Sequence, residues 1–134
     1  MITYQEEKVS VEEFKSVLIR STLGERRPID DEETLQKMLQ HGNLIVTARE
    51  NGKLIGISRS LTDYNYCTYL SDLAVDSNYQ KMGIGKELIR LTKLASPKAN
   101  LILLAAPAAV DYYPKIGLQK KEECFILPHI EDLK

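Results

Sequence analysis

The segment that most constrains the fold of this chain is a strand, a glycine pair and a helix in direct succession. The apolar run "YLSDLAV" at residues 69–75 is typical of a central strand, "QKMGIG" occupies residues 80–85, and "KELIRLTKLA" has the apolar spacing of a helix. Glycine destabilises a helix interior by about 0.5–1 kcal/mol relative to alanine, so a glycine pair in a first turn needs a reason. Backbone amides at such a turn, together with the helix dipole, bind an anion, most often a phosphate. A tight turn that only packs the helix closely against the sheet is the alternative.

Basic residues near the same helix start favour the anion-binding interpretation; they are Lys81, Lys86 and Arg90. Two familiar phosphate motifs are excluded. The chain contains no G-x-x-x-x-G-K-[ST] string of a P-loop, and Leu88 stands where a dinucleotide-binding G-x-G-x-x-G motif requires its third glycine. The segment therefore predicts an anion site of another kind.

The rest of the chain predicts a mixed α/β (α+β) architecture with the element order β-α-α-β-β-β-α-β-α-β. Asn51-Gly52 between two strand-like runs is a strong signal of a β-hairpin with a type I′ turn. Ser10 and Glu13 form a capping box at the start of the first helix. The predicted elements are a first strand in "MITYQEE", helices in "SVEEFKSVLIRS" and "DDEETLQKMLQHG", strands in "NLIVTARE", "KLIGISRSL" and "YCTYLSDLAV", the helix after the glycines, a buried strand in "NLILLAAP", a short helix in "AAVDYYPKIG" and a last strand in "LQKKEECFIL".

Composition limits the class of protein. With 134 residues, 43% of them hydrophobic and 28% charged, the chain predicts one globular domain over residues 1–134. A formal net charge of −1 gives no general attraction to nucleic acid or to anionic membranes. Cys67 and Cys124 show no metal-ligand spacing, so we expect reduced thiols, no metal and a cytoplasmic protein. The start of the chain predicts a strand and not a signal peptide, and no stretch is apolar enough to span a membrane.

The segment "LAVDSNYQKMGIGKELI" resembles the acetyl-CoA-binding motif of the GNAT superfamily of N-acetyltransferases, Q/R-x-x-G-x-G/A. Gln80, Gly83 and Gly85 occupy the defining positions of that motif. The later "DYYPKIGL" is similar to the F-Y-x-K-x-G-F segment of the family. The predicted order of strands and helices matches the family over nearly the whole chain.

This resemblance implies a GNAT fold, a twisted mixed sheet with helices on both faces, whose fourth and fifth strands splay apart to admit acetyl-CoA. The pyrophosphate is expected on the amides at the helix start, and the pantetheine arm is expected to pair with the end of the fourth strand. Many family members bond the pantetheine through an asparagine where this chain has Ala106, which puts one such hydrogen bond in doubt. The implied acetyl-CoA-binding residues are Leu73, Ala74, Val75, Gln80, Lys81, Met82, Gly83, Ile84, Gly85 and Lys86.

Acetyl transfer from a thioester to an amine places three demands on a site. The acceptor amine must lose its proton, the oxyanion needs hydrogen-bond donors, and the departing thiolate needs a proton because a thiol has a pKa of about 8.5. The resemblance assigns the last task to Tyr113, the second aromatic of Tyr112-Tyr113. A packing role at the edge of the core is the alternative for both tyrosines.

The candidate general base is Asp72 on the fourth strand, and an ion pair with Arg59 on the neighbouring strand is the alternative. If Leu73 and Val75 face one side, strand alternation places Tyr69 and Ser71 with them and Asp72 opposite, unless a bulge intervenes. Two other groups of residues have weaker claims. Asp63 is a further candidate base, but the default interpretation is a solvated turn residue. Arg26 and Arg27 could bind a carboxylate of the acceptor, but the default interpretation is a solvated charge run.

These features predict an enzyme that transfers an acetyl group from acetyl-CoA to a primary amine of a small molecule or peptide, by direct attack in a ternary complex. An acyl-CoA-binding sensor without turnover is the main alternative. A toxin-type family member that acetylates aminoacyl-tRNA is disfavoured by the net charge of −1. A homodimer stays open, because nothing in the sequence decides the oligomeric state.

Overall fold

The computed structural model describes every residue from Met1 to Lys134. The chain forms two compact units, Met1–Leu104 and Ala105–Lys134, and a single domain over residues 1–134 stays a prediction. The first unit contains β1 (Ile2–Glu6), α1 (Val11–Arg20), α2 (Glu32–His41), β2 (Leu44–Glu50), β3 (Lys53–Thr62), β4 (Cys67–Val75), α3 (Ile84–Ala95) and β5 (Asn100–Ile102), with 3-10 turns at Leu23–Arg26 and Ser77–Tyr79. The second contains α4 (Tyr112–Lys115) and 3-10 turns at Pro107–Ala109 and Ile130–Asp132.

The five strands of the first unit form one sheet in the order β1-β2-β3-β4-β5. Neighbours from β1 to β4 are antiparallel, whereas β4 and β5 run parallel. Asn51 and Gly52, between β2 and β3, have φ angles of 51° and 83°, the left-handed values that a type I′ turn requires. The predicted hairpin is therefore confirmed.

Helices cover both faces of this sheet, as the predicted fold class requires. Helices α1 and α2 bury Phe14, Val17, Leu18 and Leu35 on one side, which we call the α1/α2 face. Helix α3 buries Ile84 and Leu88 on the other side, the α3 face. Complete burial of such a side chain contributes about 1.5–3 kcal/mol, so the two faces supply most of the hydrophobic stabilisation. None of the helices combines the length and the apolar character needed to cross a membrane.

The predicted last strand in "LQKKEECFIL" is wrong, because residues 118–127 form no strand. Five consecutive residues of this segment, Gln119 to Glu123, are polar or charged and do not alternate with apolar ones. The apolar residues that follow, among them Phe125 and Ile126, are exposed. Without a neighbouring strand to supply hydrogen bonds, strand propensity alone does not form a strand. The element order therefore ends with α4 and not with a strand.

The predicted burial of the fifth strand is also wrong. Strand β5 is only three residues long, and Ile102 and Leu104 are 49% and 48% exposed. β5 is the last strand in the sheet order, so one of its edges has no partner. A run of aliphatic residues indicates strand propensity, but burial also requires a layer that covers both sides of the strand.

Candidate functional site

The connection between β4 and α3 is fixed in place by Asp76, which follows directly after β4. The Asp76 amide donates to the Ile55 carbonyl at 2.8 Å, and its carboxylate accepts from the Asn78 amide at 2.9 Å and from Arg20. Burial alone would raise the pKa of Asp76, but the bonds from Asn78 and Arg20 outweigh it and hold this pKa below its ordinary value. The turn that precedes α3 is therefore anchored by an ionised carboxylate.

The start of α3 presents an unusual run of free backbone donors. Gly83 is the N-cap residue and has a φ angle of 81°, and no side chain caps the helix. None of the backbone amides from Gln80 to Lys86 donates a hydrogen bond to another residue of the chain. Exposed donors of this kind at a helix N-terminus form a site for a negatively charged group.

Glycine occupies positions 83 and 85 of this segment for different structural reasons. A Cβ on Gly83 would meet no atom within 4 Å, but the positive φ angle of Gly83 is one that other residues adopt with strain. A Cβ on Gly85 would lie in ordinary contact with Val75 Cγ2 at 3.8 Å and Leu73 Cδ2 at 3.9 Å. Packing therefore does not demand a glycine at position 85, which favours close approach of a ligand as the reason for it.

The charge at this helix start comes from two lysines. Lys81 and Lys86 are exposed and form no ion pair. Arg90 instead binds Glu87 with two hydrogen bonds of 2.7 Å, which lower the pKa of Glu87. Of the three bases noted in the sequence, Lys81 and Lys86 are free to meet an anion, and Arg90 is already neutralised by its neighbour.

Strand β4 has an open edge next to this helix start. Its pairing with β5 covers only Cys67 to Tyr69, so the strand continues to Val75 without a neighbour on that side. Because the Asp76 amide bonds to β3, alternation directs the backbone groups of Leu73 and Val75 to the open edge. The Val75 carbonyl already accepts from Gln80 Nε2 at 3.1 Å. The remaining groups can receive one extended ligand segment.

A β-bulge divides β4 in the middle. The register between β3 and β4 shifts so that Arg59 faces Asp72 and Ser60 faces Leu70, which leaves Ser71 as the extra residue. Thr68 bonds Ser96 at the end of α3, at 3.0 Å, and so lies on the α3 face. The bulge therefore changes the side to which alternate residues point.

Tyr69 does not share a face with Leu73 and Val75, because the bulge, which is the stated exception to strand alternation, lies between them. Leu73 and Val75 pack against the α3 core. Tyr69 is paired with Leu61, two residues along β3 from Arg59, and Arg59 reaches the Met38 carbonyl of α2 at 2.9 Å. Tyr69 thus lies on the α1/α2 face, where it is 38% exposed.

Asp72 is held between two arginines. It has no exposed surface, one carboxylate oxygen accepts from Arg27 Nε and the other from Arg59 Nε. The two guanidinium groups also bond Ser71, Arg27 through the Ser71 carbonyl at 2.8 Å and Arg59 through the Ser71 hydroxyl at 3.1 Å. Both oxygens of Asp72 are therefore engaged, which favours the ion pair over the role of general base.

Asp63, the further candidate base, holds the loop between β3 and β4. Its Oδ1 accepts from the amides of Tyr66 at 2.8 Å, Asn65 at 3.0 Å and Cys67 at 3.1 Å. These bonds lower the pKa of Asp63. These contacts favour the role of Asp63 as a turn residue over that of a general base.

Tyr113 lies on α4, in the second unit. It is half-buried, and its ring meets that of Tyr112 edge to face, with ring centroids 5.4 Å apart and planes at 70°. Burial, and to a lesser degree Tyr112, raise the pKa of the Tyr113 hydroxyl above its ordinary value. Tyr113 therefore carries its proton at neutral pH, as a proton donor must.

Metal-ligating side chains are not gathered anywhere in the structure in groups of three or more. Cys67 and Cys124 are both free and exposed.

Comparisons with known proteins bear on the family and the fold of the chain. A histone acetyltransferase of Glycine max is 32% identical over 77 residues, which are 55% of this chain and 33% of that protein. The chain spans about a third of the length of this protein and of two further curated relatives that it matches. Among solved structures, a GNAT family acetyltransferase of Streptococcus pneumoniae TIGR4 superposes with a TM-score of 0.77 at 21% identity, covering 96% of this chain and 100% of that chain.

A second solved structure is that of an aminoglycoside N-acetyltransferase in complex with CoA. It superposes with a TM-score of 0.74 at 15% identity and covers 97% of this chain and 95% of that chain. At these identities the structural likeness shows the fold alone. The model of the acetyltransferase (GNAT) domain matches residues 2–132, nearly the whole sequence. The chain belongs to the GNAT acetyltransferase family.

Proposed function

We propose that this chain is an acetyl-CoA-dependent N-acetyltransferase that acts on a primary amine of a small molecule or peptide. The observation that carries the proposal is the run of free backbone amides from Gln80 to Lys86, next to the open edge of β4. The first feature suits a pyrophosphate and the second suits an extended amide-containing arm, and acetyl-CoA contains both. When bound, acetyl-CoA supplies the acetyl group as an activated thioester.

The residues present fit this co-substrate. The amides of Gln80 to Lys86 would hold the pyrophosphate, and Lys81 and Lys86 would add charge. The backbone of Leu73 and Val75 would pair with the pantetheine arm along the open edge. Ala74 would contribute less, because its backbone faces β3 and its side chain lies in the α1/α2 core.

Within this proposal Tyr113 gives its proton to the departing sulfur. The raised pKa of its hydroxyl supports the role, since the group stays protonated until a stronger base appears. Asp72 takes no part in proton transfer, because both of its oxygens accept from guanidinium groups away from solvent. The proton of the acceptor amine then leaves to solvent.

The acceptor amine can be identified by an assay of candidate amines. The named relatives act on very different amines, a histone in one case and an aminoglycoside in another. A panel of polyamines, amino acids, aminoglycosides and lysine-containing peptides, each with acetyl-CoA, tests the proposal. Because Cys67 and Cys124 are exposed, products are better followed by mass spectrometry than with a thiol reagent.

We expect acetylated product and free CoA for at least one amine of the panel. Binding of acetyl-CoA without acetylation of any amine would instead support the acyl-CoA sensor. Failure to bind acetyl-CoA at all would overturn both functions. Gly85→Ala serves as the matched variant, since it preserves the packing and adds a methyl group at the helix start, next to the side chains of Val75 and Leu73.

A further inference from the structure

We propose that Arg27 is a positioning residue for acetyl transfer. It fixes the bulge of β4 through Asp72 and Ser71, and it joins that bulge to the connection between α1 and α2. The inference rests on the proposed function, because it concerns the strand edge that would receive the pantetheine arm. Four features of the structure carry it.

The first feature is the buried charge of Asp72. A fully buried carboxylate is costly unless it is paired and hydrogen-bonded, and removal of one partner from such a pair is strongly unfavourable. Here two guanidinium groups from different parts of the chain share one carboxylate. Arg59 approaches from the neighbouring strand, whereas Arg27 approaches from outside the sheet. Loss of Arg27 therefore changes the charge balance directly at the bulge.

The second feature is the pair of hydrogen bonds to Ser71. An extra residue in a strand is not fixed by the regular ladder, so other groups must hold it. Arg27 Nη2 donates to the Ser71 carbonyl at 2.8 Å, and Arg59 Nη2 donates to the Ser71 hydroxyl at 3.1 Å. The backbone bond comes from Arg27. This side chain thus determines the conformation of the bulge more directly than Arg59 does.

The third feature is the position of the bulge along β4. Pairing with β5 ends at Tyr69, and the bulge follows two residues later. The backbone groups of Leu73 and Val75, which lie beyond it, face the open edge. Their direction depends on how the strand leaves the bulge, so a change at Ser71 moves the groups that would hold the acyl arm.

The fourth feature is the attachment of the α1–α2 connection. Arg27 ends the 3-10 turn at Leu23–Arg26, and its side chain makes all of the hydrogen bonds between residues 22–30 and the sheet. The connection contains Thr22 with a φ angle of 71°, a conformation that needs support from its surroundings. The same guanidinium group therefore orders a loop and a strand at once.

Arg27→Gln tests this inference, with Arg49→Gln as the matched control. Arg49 is also a multiply bonded arginine, which binds Glu7 and Glu13, but it belongs to β2 and not to β4. Both variants should lower the melting temperature. Only Arg27→Gln should lower kcat, by roughly ten- to a hundredfold, the size expected when reacting groups are misplaced. The KM for acetyl-CoA should rise by a smaller factor than kcat falls, since the displaced strand edge would hold only the pantetheine arm and the pyrophosphate site does not involve Arg27.

A second measurement does not need turnover. Hydrogen exchange at the amides of residues 70–75 should become faster in Arg27→Gln and stay unchanged in Arg49→Gln. Arg27→Lys keeps a charge beside Asp72 but cannot bond Ser71 with the same planar group. It should therefore recover the melting temperature more fully than kcat, and it replaces the glutamine variant if that variant does not fold.

Equal kcat in wild type and Arg27→Gln, with unchanged exchange at residues 70–75, would overturn the inference. The same kcat loss in Arg49→Gln would overturn it as well, because the effect would then follow from stability alone. If the wild type acetylates no amine of the panel, the proposed function fails. The exchange measurement then still decides whether Arg27 orders the bulge.

Discussion

Helices α1 and α3 begin in opposite ways. At the start of α1, the Ser10 hydroxyl accepts from the Glu13 amide at 3.1 Å, and at the start of α2 the Asp31 carboxylate accepts from the Thr34 amide at 3.1 Å. At the start of α3 a glycine occupies the N-cap position and the amides have no acceptor. A side-chain cap stabilises a helix by about 1 kcal/mol, so its omission at α3 has a cost. The first two helices are capped by their own side chains, whereas the third leaves its first amides free for the anionic ligand that we propose.

The largest expected effect is a loss of kcat without a loss of acetyl-CoA binding, which would distinguish proton donation by Tyr113 from binding at the start of α3. Tyr113→Phe removes one hydroxyl proton and keeps the ring, so kcat should fall by about 10²-fold, the lower range for general acid catalysis. The affinity for acetyl-CoA should change by less than about 1.5 kcal/mol, the size of one neutral hydrogen bond. Steady-state kinetics and calorimetry measure the two quantities.

Tyr112→Phe is the control for this variant, because Tyr112 is the neighbouring ring and has no proposed role in proton transfer. It should keep the full kcat. Loss of acetyl-CoA binding in Tyr113→Phe would move Tyr113 from catalysis to binding, and an unchanged kcat would show that another proton donor serves.

The next effect tests the uncapped start of α3. Gly83→Val and Gly85→Ala should each weaken acetyl-CoA binding by at least tenfold, or about 1.4 kcal/mol. Gly83→Val should also destabilise the fold by about 1–2 kcal/mol, because its left-handed conformation disfavours a side chain. Gly85→Ala should keep or raise the stability, since its Cβ meets only ordinary contacts.

Titration calorimetry with CoA and a denaturant melt distinguish these contributions. Unchanged affinity in a folded Gly85→Ala protein would mean that the glycine serves neither packing nor the ligand. The contrast between α1 and α3 would then lose its functional meaning.

A smaller effect is expected at the capped helix. Ser10→Ala removes the acceptor of the Glu13 amide and should destabilise the protein by about 1 kcal/mol. The affinity for acetyl-CoA should not change. Chemical denaturation followed by circular dichroism measures the first quantity. A weakened affinity would show that the start of α1 also contributes to the ligand site.

The smallest effect is a pH dependence near the start of α1. A hydrogen bond from Arg49 lowers the pKa of Glu13, and bonds from Arg49 and Thr47 lower that of Glu7 even though burial alone would raise it. Because both folded pKa values are lowered from the ordinary value of a glutamate, this stability is complete at neutral pH. It is lost as the pH falls through the folded values. Arg49→Gln should flatten the acid side of the stability curve, and an unchanged curve would contradict this assignment.

Local signals in the sequence predicted the parts of the fold that depend on near neighbours. The Asn51-Gly52 hairpin, the Ser10 cap and the succession of strand, glycines and helix are all determined within a few residues, and the structure contains each of them. The last strand and the burial of β5 depend on which other segments cover them. A single strand-like segment carries no information about its partners, so these two predictions failed.

The bulge at Ser71 left no signal in the sequence. Serine is common in regular strands, so nothing at position 71 of the sequence distinguishes a bulge from an unbroken strand. Asp72 did offer a signal, since a carboxylate inside an apolar strand requires a cationic partner. Arg59 was the evident one from strand pairing. Arg27 lies 45 residues away, and only the folded connection brings it to Asp72.

The free amides at the start of α3 also make the free energy of unfolding depend on the concentration of any anion that binds them. The unfolded chain has no ordered row of donors, so an anion that fits this row binds the native state alone. Such a ligand at a hundred times its Kd adds about 2.7 kcal/mol to the free energy of unfolding. That gain exceeds the value of a side-chain cap such as the one formed by Ser10. Under the proposed function the ligand would therefore serve as the N-terminal cap of α3, and its depletion would leave the protein more open to unfolding and proteolysis.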